Sequence, residues 1–193
     1  MRRHPANPQT GTPWRPTRQQ IASAHGRTVG DVIAPHLDVL FCGINPGLYS
    51  GAVGHHFARP GNRFWKALHG AGFTDRLLSP FEEAELLSAG VGITNLVERA
   101  TAGAGEVAAE ELRQGATRLE RKVCRYRPRA VAFLGLAAYR IAFGLSSAEP
   151  GPQPVGICRS DVWLLPNPSG LNAHYQLPDL VEAFRALRAA IER

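Results

Sequence analysis

The sequence predicts an α/β fold in which helices cover both faces of a central, mainly parallel sheet. Residues 39–42 and 130–135 are apolar along their whole length, which is typical of parallel strands buried on both faces. These runs alternate with segments of helical pattern, the order expected of βαβ units. We therefore expect three layers, α/β/α, around a sheet of four to five strands.

Length and composition place the chain among globular proteins. Its 193 residues, 44% apolar and 20% charged, are enough for one domain with a full core. No apolar run approaches the roughly 20 residues that span a bilayer, and the N-terminus lacks the apolar segment of a secretory signal. We therefore expect a cytoplasmic protein with no membrane partner.

Charge and cysteine content narrow the class further. The net charge is +6, and only Lys66 and Lys122 among the 22 basic residues are lysines. The guanidinium group of arginine binds phosphate well, so the positive net charge and the many arginines favour a nucleic-acid partner without establishing one. Cys42, Cys124 and Cys158 are odd in number and lack C-x-x-C spacing, which predicts buried thiols in a reducing compartment. Three thiols are too few for a standard iron–sulfur cluster.

The first thirty residues differ from the rest of the chain. Residues 1–30 are rich in arginine and proline and contain no acidic residue. Such a segment buries little apolar surface, so we expect a disordered basic arm. A single domain is predicted over residues 31–193.

Each element of this domain has its own signal. The first strand, 39–42, ends at Gly43 and Pro46, and a long glycine-rich loop is expected over 48–61. Asn62 can cap the next helix, and Ser79 with Pro80 opens another. The expected helices are 63–70, 80–89, 107–127, 137–143 and 179–192. The expected later strands are 90–97, 130–135, an edge strand at 155–158, and 161–165.

Two loops share an unusual composition. Residues 43–47 and 167–172 each follow an apolar strand and carry Asn-Pro together with glycine. In a parallel sheet both loops open on the same carboxyl edge, where ligands bind. The G-x-G-x-x-G, P-loop and G-x-S-x-G patterns are missing at the expected places. His55 and His56 are adjacent and lack a carboxylate-rich partner motif, so no metal is predicted.

These motifs resemble those of a known enzyme family. Residues 43–47 and 167–170, with 54–57, 60–65 and 94–99 between them, are similar to the mismatch-specific uracil-DNA and thymine-DNA glycosylases. That family belongs to the uracil-DNA glycosylase superfamily, and the similarity runs from about residue 33 to 184. The resemblance implies a uracil-DNA glycosylase-like fold and a monofunctional enzyme without metal or organic cofactor. Its partner would be double-stranded DNA with U·G or related mispairs, bound by a monomer.

The resemblance also implies roles for individual residues. Asn45 would hold the attacking water. Independently of the resemblance, Asn95 lies where the second predicted strand ends, so we expect it to face the same crevice as a second catalytic amide. Phe57 would stack on a base flipped out of the duplex. Leu171 would fill the gap that the base leaves. The implied substrate-binding residues are Ile44, Gly47, Tyr49, Ser50, Phe57 and Asn167. The implied DNA-binding residues are Ser169, Gly170, Leu171, Asn172 and His174.

The chain departs from the wider superfamily at several of these positions. Asn45 and Asn167 stand where relatives can carry a carboxylate and a histidine, and neither amide titrates near neutral pH. Gly47 replaces a tyrosine that blocks a 5-methyl group, and Ala173 takes the place of an arginine. Without an evident general base, a binder of uracil-containing or single-stranded DNA that lacks turnover is the alternative. A third interpretation is a nucleotide-binding, doubly wound domain, although the sequence lacks the glycine-rich phosphate-binding motif of such domains.

Overall fold

Five strands form one sheet at the centre of the protein, and the computed structural model describes residues 14–192. The strand order is β2-β1-β3-β5-β4, and only β4 runs antiparallel to its neighbour. The strands are β1 (Val39–Gly43), β2 (Val91–Asn95), β3 (Ala130–Leu134), β4 (Gly151–Pro152) and β5 (Asp161–Leu165). The chain moves outward from β1 to β2 and then returns to β3 on the other side of β1. This reversal creates a crevice at the carboxyl ends of β1 and β3.

Helices cover the two faces of the sheet. Along β1, Val39 and Phe41 face one apolar cluster, while Leu40 and Cys42 face the other, which explains the continuous apolar pattern. Helices α3 and α6 pack in the first cluster, and α4 and α5 in the second. The helices are α1 (Arg18–Ala22), α2 (Leu48–Val53), α3 (Phe64–Gly70), α4 (Ala109–Tyr126), α5 (Leu136–Phe143) and α6 (Leu177–Ile191). Two 3₁₀ helices, Pro80–Ala89 and Ala104–Glu106, complete the fold. The three-layer α/β/α fold is thus confirmed.

Folded structure begins earlier than the predicted boundary at residue 31. Helix α1 starts at a capping box, and Ala24 just beyond it has no exposed surface. The backbone N–H of Gly26 donates to the carbonyl of Ala100 at 2.9 Å. Residues 14–30 are therefore packed on the domain rather than forming an arm. The remainder of the predicted arm, residues 1–13, lies outside the described residues.

The glycine-rich segment after β1 is not wholly irregular, contrary to the prediction. Its first part is helix α2, which Gly54 ends in the left-handed conformation with φ 80°. A Cβ atom on Gly51 would lie 2.6 Å from the Cβ of Ala100. The glycine therefore permits close packing of a helix, whereas its presence in the sequence favoured a loop.

Two further predictions were wrong. The edge strand is Gly151–Pro152, not residues 155–158, because Ile157 and Ser160 pair with each other across a tight turn. Cys124 and Cys158 form a disulfide, with their Cα atoms 5.6 Å apart. Cys42 is the free cysteine of residues 14–192, and it is buried. No helix in the same range combines the length and apolar character needed to cross a membrane.

Candidate active site

A cavity of about 140 Å³ lies at the carboxyl ends of the parallel strands. Its walls come from the segment after β1, the residues after β2, the connection between α2 and α3, and the loop after β5. A cavity of roughly 150 Å³ holds one benzene ring in another protein. The space therefore suits a single six-membered aromatic ring.

The side chain of Asn45 is held by groups on the protein side of the cavity. Its Nδ2 donates to the carbonyls of Pro46 (3.1 Å) and Arg99 (3.2 Å) and to Oγ1 of Thr101 (2.7 Å). Carbonyl oxygens only accept, so the amide nitrogen must face them and the orientation of the amide is fixed. Oδ1 of Asn45 is thus left as an acceptor at the cavity wall.

A second fixed amide, Asn95, lines the same cavity from the end of β2. Nε2 of the buried His56 is 2.9 Å from the carbonyl of Gly30, so this nitrogen carries the proton and Nδ1 is an acceptor. Nδ2 of Asn95 lies 3.3 Å from that Nδ1 and donates to it. Oδ1 of Asn95 passes over Gly43, where a Cβ atom would collide with it. Burial lowers the pKa of His56, which keeps the ring neutral.

Phe57 forms the aromatic wall. Its ring stacks on Phe64 with a centroid distance of 4.2 Å and an interplanar angle of 23°, and the residue also lines the cavity. Phe57 has φ 51°, a conformation that costs energy for a residue with a side chain. The neighbouring amides hold it there: His56 N donates to Glu83 at 2.8 Å and Ala58 N donates to Ser50 Oγ at 3.1 Å.

The loop after β5 closes one side of the cavity. Asn167 Oδ1 accepts from the backbone N–H of Ser169 at 2.9 Å, and Asn172 Nδ2 donates to the Asn167 carbonyl at 3.0 Å. At the tip, 73% of the surface of Leu171 is exposed. The loop therefore presents an apolar side chain to solvent beside the cavity.

The structure brings most of the predicted residues together. Those that line the cavity are Ile44, Asn45, Gly47, Ser50, Phe57, Asn95, Asn167, Ser169 and Leu171. Tyr49 does not line it, because helix α2 turns Gly47 and Ser50, three residues apart, toward the cavity and Tyr49 elsewhere. Gly170 lines a small neighbouring groove, Asn172 supports the loop from within, and His174 is exposed.

Sequence reasoning missed four residues that shape this site: His56, Arg59, Arg63 and Thr101. His56 lies in one of the motifs that carry the resemblance, but its sequence context suggests only a metal ligand. Thr101 follows a featureless turn, and no local pattern marks it as the partner of an asparagine 56 residues earlier. Such roles depend on contacts between distant parts of the chain.

The cavity is nearly free of ionised groups. None of its lining residues is Asp or Glu, and Arg59 at its mouth is the one arginine or lysine among them. Within residues 14–192 no three His, Cys, Asp or Glu side chains are grouped so as to hold a metal ion. Burial raises the pKa of the Cys42 thiol, which is therefore no nucleophile. The chemistry available is that of fixed amides, an aromatic face and backbone groups.

Comparison with known proteins agrees with this architecture. The fold is similar to the solution NMR structure of a uracil DNA glycosylase candidate from Methanosarcina acetivorans, with a TM-score of 0.54 and 18% sequence identity. That match covers 84% of this chain and 98% of the other. The family model of the uracil DNA glycosylase superfamily matches residues 31–190, which include every wall of the cavity. The chain therefore belongs to the uracil DNA glycosylase superfamily.

Proposed function

We propose that this protein is a monofunctional DNA glycosylase that removes uracil from U·G and related mispairs in duplex DNA. The observation that carries the proposal is the fixed amide of Asn45. Its Oδ1 stands at the wall of a pyrimidine-sized cavity, where it can accept a hydrogen bond from a water molecule. Superfamily membership supports the reaction class, and the cavity geometry supports the roles proposed for the residues.

A base inside a duplex cannot reach the cavity unless it is flipped out of the stack. The flipped ring would lie against the face of Phe57 that is turned away from Phe64. Oδ1 of Asn95 can accept from N3–H of uracil. Cytosine has a lone pair at N3, which an amide oxygen repels. The chain of hydrogen bonds from Gly30 through His56 to Asn95 therefore favours uracil over cytosine.

Gly47 accounts for the breadth of the proposed substrate class. A Cβ atom added to Gly47 would meet nothing within 4 Å, so no side chain crowds that part of the wall. A 5-methyl group would find space there, and thymine or modified pyrimidines could enter. Discrimination would then come from the ease of unstacking, which is greatest for mispaired bases.

In the proposed reaction the bond between C1′ and N1 breaks, and its electron pair leaves with the uracil ring. Water held by Asn45 adds to C1′, its proton is released, and an abasic site remains. No carboxylate lines the cavity to take that proton in the rate-determining step. Rate enhancement would come from positioning and from preorganised dipoles. Leu171 would occupy the gap in the duplex, and the protein would act as a cytoplasmic monomer.

The test uses an end-labelled duplex with one U·G pair under single-turnover conditions. Alkali converts an abasic site into a strand break, so scission at the uracil position is expected. Asn45→Ala should lower the rate roughly 10²-fold or more, the scale for removing a preorganised polar group. U·G should be cleaved faster than U·A. Retention of the duplex without scission would support the non-catalytic binder, and full activity of Asn45→Ala would contradict the role of this residue.

A further inference from the structure

The loop that carries Leu171 is hydrogen-bonded to the rest of the domain through one residue, Arg63. Arg63, at the start of α3, donates from its guanidinium to the carbonyls of Tyr175 (2.5 Å), Asn172 (2.9 Å) and Ser169. Its backbone N–H donates to the carbonyl of Pro168 at 3.0 Å, and Nε reaches the same oxygen at 3.5 Å. The guanidinium thus donates hydrogen bonds to carbonyls on both sides of the loop tip.

No other residue takes this role in the described part of the chain. The remaining hydrogen bonds of residues 168–175 stay within the segment 167–179, such as Asn172 N to Ser169 O and His174 N to Asn172 Oδ1. No salt bridge links Arg63 to a carboxylate within residues 14–192, so carbonyl oxygens are its partners. A planar guanidinium spreads five donors over a rigid fork and can reach diverging acceptors, whereas an ammonium group has three donors at a single nitrogen atom.

The contacts also explain why Leu171 is exposed. Carbonyls of residues 168, 169, 172 and 175 turn inward to the guanidinium, so the chain between them bulges outward at Leu171. At the neighbouring Gly170, a Cβ atom would lie 2.8 Å from the carbonyl of Gly61, so this loop passes directly against the segment before α3. The tip therefore cannot move inward without breaking the bonds to Arg63.

We propose that Arg63 is a positioning residue that holds Leu171 in the orientation needed to replace a flipped base. It acts through the loop and does not touch the base, because it is not among the residues that line the cavity. This inference rests on the proposed glycosylase function for its consequence, but its structural content can be tested without any substrate.

The first experiment is hydrogen–deuterium exchange on the intact protein without DNA. In Arg63→Lys, which keeps the charge but loses the fork, the peptide spanning residues 168–175 should exchange at least roughly tenfold faster, since the guanidinium bonds to its carbonyls are lost and only the backbone bond from residue 63 to Pro168 remains. Peptides from β1 and β3 should exchange at the wild-type rate, which would show that the variant is folded. Unchanged exchange of the loop would overturn the inference, whatever the enzymatic activity proves to be.

The second experiment is a double-mutant comparison on the U·G duplex. Arg63→Lys should slow single-turnover excision by roughly 10- to 100-fold, the cost of misplacing a group by about an ångström. In the Leu171→Ala background the same substitution should cost less than about threefold, because no wedge remains to be positioned. An equal loss in both backgrounds would mean that Arg63 does not act through Leu171. Failure of the wild type to excise uracil would refute the proposed function, while the exchange result would still decide the role of Arg63.

Discussion

At the scale of single residues, the candidate site depends on amides whose orientation is set by their partners. Asn45 faces two carbonyls and a hydroxyl, and Asn95 faces the unprotonated nitrogen of His56. The sequence placed both asparagines at strand ends, and that placement is correct. It could not give their orientation, because the fixing groups lie far away in the chain; Arg99 is 54 residues beyond Asn45.

This orientation makes a specific prediction for Asn45→Asp. A carboxylate could polarise water better than an amide, but here it would put a negative oxygen about 3 Å from the carbonyls of Pro46 and Arg99. We expect a loss of roughly 10²-fold in single-turnover rate and destabilisation of about 1–3 kcal/mol. Thermal unfolding and the U·G assay measure the two effects.

Asn62→Asp is the matched control for stability. Asn62 uses only its oxygen, which accepts from Phe64 N at 2.9 Å, so the carboxylate keeps the bond at the start of a helix. Its stability should be unchanged or higher. A rate for Asn45→Asp at or above that of the wild type would show that the amide nitrogen is not needed.

His56 gives the site a pH dependence with a definite sign. Its pKa lies below the ordinary value of 6.5, mainly through burial. Protonation would place a second N–H against the Asn95 amide. The excision rate should therefore be flat from about pH 6.5 to 9 and fall only at lower pH. The unfolded chain takes up the proton first, so stability should also decrease as pH falls below about 6.5 toward the lowered pKa.

The measurements are a pH–rate profile and thermal midpoints across the same range, with His56→Gln as the comparison. Glutamine can still donate to the Gly30 carbonyl but does not titrate. The thermal midpoint of His56→Gln should therefore not show the decrease at low pH that protonation of His56 causes in the wild type. A wild-type limb at or above pH 6.5 would show instead that the ring is accessible and acts as a base.

At the scale of elements, strands were predicted better than connections. The strand 161–165 has the predicted bounds, and residues 80–89 begin after Ser79 as expected, although they form a 3₁₀ helix; the Ser79 backbone N–H donates to the Glu82 carboxylate at 2.8 Å. Apolar periodicity and caps are local signals, so the sequence contains them. Helix α2 has no such signal, because tertiary contacts stabilise it. The turn at Ile157 and Ser160, where an edge strand was predicted, also has no local signal in the sequence.

Gly51 tests this account of α2. In an open helix Gly→Ala stabilises by about 1 kcal/mol. At Gly51, however, the new methyl group would lie 2.6 Å from Ala100 Cβ and 3.3 Å from the Ala24 carbonyl, so we expect a net loss of about 1–3 kcal/mol. Denaturant unfolding measures it. Gly103→Ala, where a Cβ meets nothing within 4 Å, should cause little change. A stabilised Gly51→Ala would mean that α1 and α2 are packed loosely.

At the scale of the whole molecule, the net charge of +6 is not confined to the candidate site. Arg59 stands at the mouth of the cavity, and its side chain makes no hydrogen bond or ion pair with residues 14–192. A second group of arginines, Arg127, Arg129 and Arg159, lines a cavity at the amino ends of β3 and β5, on the opposite edge of the sheet. DNA bound at the carboxyl edge would therefore meet Arg59 and not the second group.

Salt dependence distinguishes the two arginine groups. Each phosphate contact contributes about −0.9 to the slope of log K against log salt concentration on duplex DNA. Arg59→Ala should therefore make the slope shallower by about 0.9, because its free guanidinium lies beside Leu171 at the edge of both the cavity and the neighbouring groove. Arg159→Ala removes the same charge from the opposite edge and should leave the slope unchanged. Titrations of a uracil-free duplex at four or more salt concentrations provide both slopes without any catalysis. The opposite result would be a shallower slope for Arg159→Ala and an unchanged slope for Arg59→Ala. It would place the DNA at the amino edge of the sheet, so the duplex could not bind at the carboxyl-edge cavity.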